Sequence, residues 1–193
     1  DMAAEICSIL AGSALENNDK VGLIIFTDRI EKFIPPKKGS NHIFRIIRES
    51  LCAETFGKRT DIKMALEYLN KVVPKSCTVF LLSDFYSHDF KKAMTVTAKK
   101  HDLIGINIFD PREKLMPDVG IVRFICPESS DTHTLDTSFE KTRLDFSERV
   151  SARTTSLKKD FSSMNIDLIS LSTSEPYIET LLRFFTSRKS GKG

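Results

Sequence analysis

Residues Cys77–Phe85 read CTVFLLSDF, an apolar run that stops on an acid. A run rich in Val, Phe and Leu fits a strand buried on both faces of a parallel sheet. In open α/β sheets, ligands bind outside the carboxyl ends of the strands. Asp84 is therefore expected where a carboxylate can meet a cation or a partner. Three other segments share this form. VGLIIFTD ends at Asp28, LIGINIFD ends at Asp110, and GKRTD puts Thr60 and Asp61 at the start of a helix.

Strand-like and helix-like segments alternate around this run. Met2, Ile6, Ile9, Leu10, Ser13 and Ala14 recur at helical spacing, which predicts a helix over 1–16. The turn signal Asn17-Asn18-Asp19 closes it. Lys20 to Thr27 reads as a buried strand. Ile30 to Ile34 reads as a short edge strand stopped by Pro35-Pro36. Ser40 is the expected cap of a helix with Ile43, Phe44, Ile46, Ile47 and Leu51 on its apolar face. Thr60 or Asp61 caps the next helix, which runs to Pro74. A strand at 77–83, a helix near 89–100 and strands at 102–109 and 120–126 follow.

This alternation predicts an α/β protein with a mostly parallel sheet flanked by helices. Its core strands are expected at Val21–Phe26, Val79–Leu82 and Ile104–Ile108. From about residue 128 the character changes. A short strand at Thr132–Asp136 precedes a long helix of about 26 residues through Phe139, Phe146, Val150, Leu157, Phe161 and Met164. Ile166–Leu171 reads as a strand, and Tyr177, Ile178, Leu181, Leu182 and Phe185 form a last amphipathic helix. One domain over residues 1–186 is expected, with a disordered tail at 187–193.

Hydrophobic residues make up 40% of the 193 and charged residues 28%, the balance of a soluble globular protein. A net charge of +3 gives no argument for nucleic acid. No stretch approaches the roughly 18 consecutive apolar residues of a membrane span, and no signal peptide is visible. Cys7, Cys52, Cys77 and Cys126 lie far apart without a CxxC pair, which predicts buried, reduced thiols in a reducing compartment. The chain opens on Asp1 inside a helical pattern, as expected of a piece of a longer protein.

Most catalytic signatures are missing. There is no GxxxxGKS/T loop, no GxGxxG after a strand and no GxSxG elbow. His42, His88, His101 and His133 read as surface or helix-end histidines. The basic stretch from Arg29 to Arg59 is interleaved with Glu31, Glu49 and Glu54 and reads as a solvated face. On spacing alone, Thr60 reads as a helix cap and Asp84 as a turn-capping residue. The same two side chains have the donor chemistry of Mg²⁺, which prefers oxygen ligands and keeps several waters. Two donors alone are too few.

Four segments carry a resemblance: NNDKVGLIIFTDRIEKFIPPKKG, GKRTDIKMALEYLNKV, TVFLLSDF and KKHDLIGINIFDPREKLMPDVG. Together with LDTSFEKTR and IDLISLSTSEPYIETLLRFF they resemble a bacterial family of von Willebrand factor A-like proteins, often encoded beside MoxR-type AAA+ ATPases. The string His101-Asp102 followed by Asp110–Glu113 is fairly specific for it. The resemblance implies a Rossmann-like fold with a metal-ion-dependent adhesion site, or MIDAS, holding Mg²⁺ or Mn²⁺. Thr60 matches the site's threonine and Asp84 its late aspartate. The DxSxS segment of that family, with its central strand, is absent, so the implied site is incomplete and the sheet lacks a middle strand.

The implied function is non-enzymatic protein binding in the cytoplasm, with a MoxR-type ATPase as partner in the assembly or maturation of protein complexes. Neither nucleic acid nor a membrane span is expected. Two alternatives stay open: a metal-free structural interaction domain, and a metal-dependent phosphoryl hydrolase using Asp84 and Asp110.

Overall fold

A computed structural model describes residues 2–87, 89–114, 116–125 and 132–190. Its elements run α1 (Met2–Glu16), β1 (Val21–Phe26), β2 (Ile30–Lys37), α2 (Ser40–Leu51), α3 (Ile62–Val72), β3 (Thr78–Ser83), α4 (Lys91–Lys100) and β4 (Asp102–Phe109). A single 3₁₀ turn (Pro111–Lys114) leads to β5 (Ile121–Ile125), β6 (Thr132–Asp136), α5 (Glu140–Ser163), β7 (Asp167–Ser172) and α6 (Tyr177–Ser190). The expected single domain divides into two compact units, residues 1–76 with 86–97 and residues 77–85 with 98–193.

In the first unit β1 and β2 pair antiparallel, and α1 packs against α2. Ala11, Ile34, Ile43 and Ile46 form a core against which Val21, Leu23 and Ile47 pack. β2 does not stop at Pro35-Pro36 but continues to Lys37. Proline lacks a ladder donor, yet β2 tolerates two because the register shifts between Val21 and Leu23. Gly22 lies opposite, where a Cβ would meet the Ile34 carbonyl at 2.9 Å. Gly39, not Ser40, caps α2, and no side chain completes that cap.

In the second unit β4 is the middle strand of a parallel sheet ordered β3-β4-β7. Leu103 to Asn107 are all buried, as an apolar strand covered on both faces should be. β5 and β6 form a separate antiparallel ribbon. α5 ends in a Schellman turn: Asn165 takes φ 54, the Ile166 N–H donates to the Phe161 carbonyl at 3.0 Å, and Asn165 N–H donates to Ser162 at 3.1 Å. Phe161 and Ile166 are both buried, which turns the chain directly into β7.

The expected parallel sheet is present as β3-β4-β7 in the second unit; among the described residues the other pairings, β1-β2 and β5-β6, are antiparallel. β1 and β3 read as strands buried on both faces, but β1 is half-buried except at exposed Gly22 and in β3 only Leu81 is buried. The reason is pairing. Among the described residues β1 has β2 on one edge alone and β3 has β4 on one edge alone.

The tail differs too. α6 runs past Ser187 to Ser190, where composition suggested disorder. Arg188 forks onto Asp102 at 2.7 and 3.1 Å and reaches Asp167 at 3.0 Å, which holds the helix end. Cys7, Cys52 and Cys77 are free thiols, but Cys52 and Cys77 are exposed rather than buried. Cys126, His88 and residues 191–193 lie outside the described residues.

Gly105 on β4 allows α5 to approach the sheet. A Cβ there would lie 2.3 Å from Phe161 Cε1, and that ring is itself buried and packed edge-to-face on Phe85 at 5.1 Å. Gly105→Ala is expected to cost about 1–3 kcal/mol, the range for overpacking a well-filled core. A denaturant melt checks it. An unchanged midpoint would mean that Phe161 can swing aside.

Candidate functional site

Asp84 directly follows β3 and Asp110 directly follows β4, whereas Thr60 lies on the loop before α3. In the first unit β1 ends at Phe26, and the Thr27 carbonyl accepts the Asp61 N–H at 2.9 Å. That bond sets the start of α3 beside the end of β1, with half-buried Thr60 just before it. The cap of α3 is Asp61, whose side chain accepts the Met64 N–H at 2.8 Å. Thr60 is therefore not the residue that caps the helix.

A carboxylate that the sequence reading left in the solvated face organises this end. Glu31 Oε1 accepts from the Thr27 hydroxyl at 2.7 Å, the Gly57 N–H at 2.8 Å, the Phe56 N–H at 3.1 Å and Arg29 Nε at 3.3 Å. Its side chain is only 7% exposed. The Thr27 hydroxyl, then the Gly57 amide, pull its pKa down from 4.5 to about 2.

A carboxylate depressed in the folded state contributes stability above its unfolded pKa and loses it as pH falls through the folded one. The Phe56 and Gly57 amide shifts should hold steady through pH 4.5 and titrate near about 2. NMR titration checks this, and a midpoint at the ordinary carboxylate value would show that Glu31 is not held.

In the second unit Asp84 is exposed directly after β3. The next residue, Phe85, is buried yet takes φ 55, a left-handed conformation rare for a bulky side chain. Three contacts hold it there. Its N–H donates to Ser83 Oγ at 3.0 Å, its carbonyl accepts from Arg153 of α5 at 2.5 Å, and its ring packs on Phe161. Such strain costs on the order of 1–3 kcal/mol and collects at functional sites. Asp84 is thus presented on a fixed turn.

The other candidates are occupied differently. Asp110 follows β4, but its carboxylate caps the next turn, accepting the Arg112 N–H at 2.9 Å. His101, read as a surface or helix-end histidine, directly follows α4 but is 3% exposed, at the amino end of β4. Its Nδ1 lies 3.3 Å from Cys77 Sγ, and Nε2 has no partner among the described residues. Burial lowers the His101 pKa, and desolvation of the Cys77 sulfur against that ring raises the thiol's although the residue as a whole is exposed, so the neutral thiol and imidazole are favoured over an activated ion pair.

His42 Nε2 meets the Val21 carbonyl at 2.9 Å. Among the described residues no group of three His, Cys, Asp or Glu side chains is disposed to hold a metal. Thr60 and Asp84 alone do not amount to a complete Mg²⁺ site. No helix among the described residues is long and apolar enough to cross a membrane.

These features define a mixed α/β protein with a three-stranded parallel sheet flanked by helices and an acid fixed at that sheet's carboxyl edge. A family model described as "Protein of unknown function DUF58" matches residues 1–156, and the chain belongs to that family. It is similar to "Uncharacterized protein Rv1480" of Mycobacterium tuberculosis, at 22% identity over 196 residues covering 99% of this chain and 61% of the relative. A Mycobacterium bovis relative, "Uncharacterized protein Mb1516", matches with the same figures: 22% identity, 99% of this chain and 61% of its own length.

"Uncharacterized protein MAV169" of Mycobacterium avium is 25% identical over 138 residues, 70% of this chain and 80% of its own. This chain therefore spans 61% of the length of the first two relatives. Among solved structures, the conserved hypothetical protein BatB of Bacteroides thetaiotaomicron superposes with a TM-score of 0.51 at 14% identity, covering 98% of this chain and 89% of that one. That likeness concerns the fold alone.

Proposed function

We propose that this chain is the carboxyl-terminal part of a von Willebrand A-like domain that binds protein partners through a divalent-metal site and is not an enzyme. Thr60 and Asp84 supply two oxygen ligands to Mg²⁺ or Mn²⁺, and a DxSxS segment outside residues 1–193 supplies the rest. An acidic side chain of the partner completes the coordination. The partner is a MoxR-type AAA+ ATPase or a protein it acts on, in the cytoplasm, during assembly or maturation of protein complexes.

The observation that carries this reading is the turn at Asp84, an exposed acid beside a buried residue at φ 55. A turn that only had to reverse the chain would not need that strain. The open edges support it as well. Among the described residues β1 and β3 each pair on one edge alone, and such half-buried strands suit an additional one, because unpaired backbone groups and apolar faces both gain from it.

Calorimetric Mg²⁺ titration of the full-length protein tests the reading. Absence of Mg²⁺ binding there sinks it and leaves a metal-free interaction domain.

A further inference from the structure

We infer that Glu31 is the positioning residue for Thr60, the latch that fixes the loop between α2 and α3. As a statement about a ligand residue, this rests on the metal-site reading above.

The argument begins with the loop. Residues 52–61 contain no helix or strand, so nothing regular sets the position of Thr60. Two anchors do. Downstream, the Asp61 N–H bonds to the Thr27 carbonyl at 2.9 Å. Upstream, the Phe56 and Gly57 N–H groups both donate to Glu31 Oε1. Thr60 lies between them with only Lys58 and Arg59 for slack. Both anchors are on the hairpin of β1 and β2, so the loop is referred to the end of β1 at each side.

The contact is shaped for closeness. A Cβ on Gly57 would sit 2.0 Å from Thr27 Oγ1 and 2.3 Å from Asp28 Oδ1, so only glycine lets the backbone come within reach of Glu31. Glu31 also orients the Thr27 hydroxyl, and Thr27 provides the second anchor's carbonyl. One carboxylate oxygen thereby serves both ends of the segment that carries Thr60. Arg29, 55% exposed, gives it a countercharge and lies over the Phe56 ring of the same loop, 5.9 Å from its centroid. A carboxylate accepting backbone N–H groups makes stronger bonds than a neutral acceptor, so the charge itself matters to the latch.

The test uses this chain, isotope-labelled for NMR, as parent, Glu31→Gln, Glu31→Ala and Thr60→Ala. Glu31→Gln keeps the size and one acceptor oxygen, so it covers the case in which Glu31→Ala fails to fold. Two readouts are taken: amide hydrogen exchange at Phe56 and Gly57, and broadening of the Thr60 amide by Mn²⁺ as probe, which detects weak binding. The latch predicts exchange at Phe56 and Gly57 faster by at least about tenfold in the Glu31 variants, with β4 amides unchanged. It also predicts that Mn²⁺ broadening at Thr60 falls to the level of Thr60→Ala.

Unchanged exchange at Gly57 overturns the latch. Faster exchange with undiminished Mn²⁺ broadening at Thr60 overturns the positioning role. No broadening at Thr60 in the parent leaves the metal reading to the Mg²⁺ titration of the full-length protein, and the exchange arm then decides for or against the latch by itself.

Discussion

Ile106→Asp is expected to unfold the parallel-sheet unit. Ile106 has no exposed surface and sits on β4 between Leu82 of β3 and Ile169 of β7. A carboxylate there has no cation within the sheet and no water to replace one. Leaving a buried charge without a partner costs about 3–5 kcal/mol. The lost packing of a buried isoleucine adds about 2–5 kcal/mol. Whole domains are stable by roughly 5–15 kcal/mol, so the two losses together reach the range in which a domain no longer folds.

The expected result is loss of the cooperative thermal transition and of dispersed amide resonances from residues 98–190. A smaller effect is expected for Val96→Asp, because Val96 is 54% exposed. Melting of Ile106→Asp like the parent would remove β4 from the core.

β4 was legible because eight residues of LIGINIFD type need cover on both faces and find it. Apolar composition reports how much burial a strand can use, not whether a neighbour is at hand. That is why VGLIIF and TVFLLS were read correctly as strands and incorrectly as buried ones. The end of α1 was marked by Asn17-Asn18-Asp19, and Asn18 takes the left-handed turn there; Asn165 does the same after α5, a signal the helical rhythm up to Met164 did not bring out.

Glu31 was not legible. Glu31 stands beside Lys32 in a charged pair that looks solvent-facing, and its partners Phe56 and Gly57 lie across a loop whose path no periodicity encodes. Arg188 was hidden by its neighbours. Basic and glycine-serine composition reads as disorder unless the acids that receive the arginine, here Asp102 and Asp167, are known to be close. Asp84 was legible as an edge acid, but the strain at Phe85 was not, because it depends on Phe161 and Arg153, which come much later in the chain.

Asp84→Ala is expected to abolish Mg²⁺ binding by the full-length protein while leaving the fold unchanged. The chemistry asks for a carboxylate. Mg²⁺ gives up water reluctantly and is held by one or two protein carboxylates, so loss of one is not made good by a hydroxyl such as that of Thr60. Removing even an indirect partner of a metal site costs about 10–100-fold, and removal of a ligand should exceed that.

The structural cost is small. The Asp84 side chain is exposed and accepts the Ser83 hydroxyl only at 3.4 Å, while Phe85 is held by backbone bonds to Ser83 Oγ and Arg153. Exposed substitutions of this kind stay within about 0.5 kcal/mol. Calorimetry with Mg²⁺ and a thermal melt on the same samples separate the two effects. Residues 1–193 alone should bind Mg²⁺ weakly or not at all, since Thr60 and Asp84 leave most of its hydration shell in place. Equal Mg²⁺ affinity in parent and Asp84→Ala would take Asp84 out of the site. Lost affinity together with a lowered melting point would mean that Asp84 holds the turn rather than the metal.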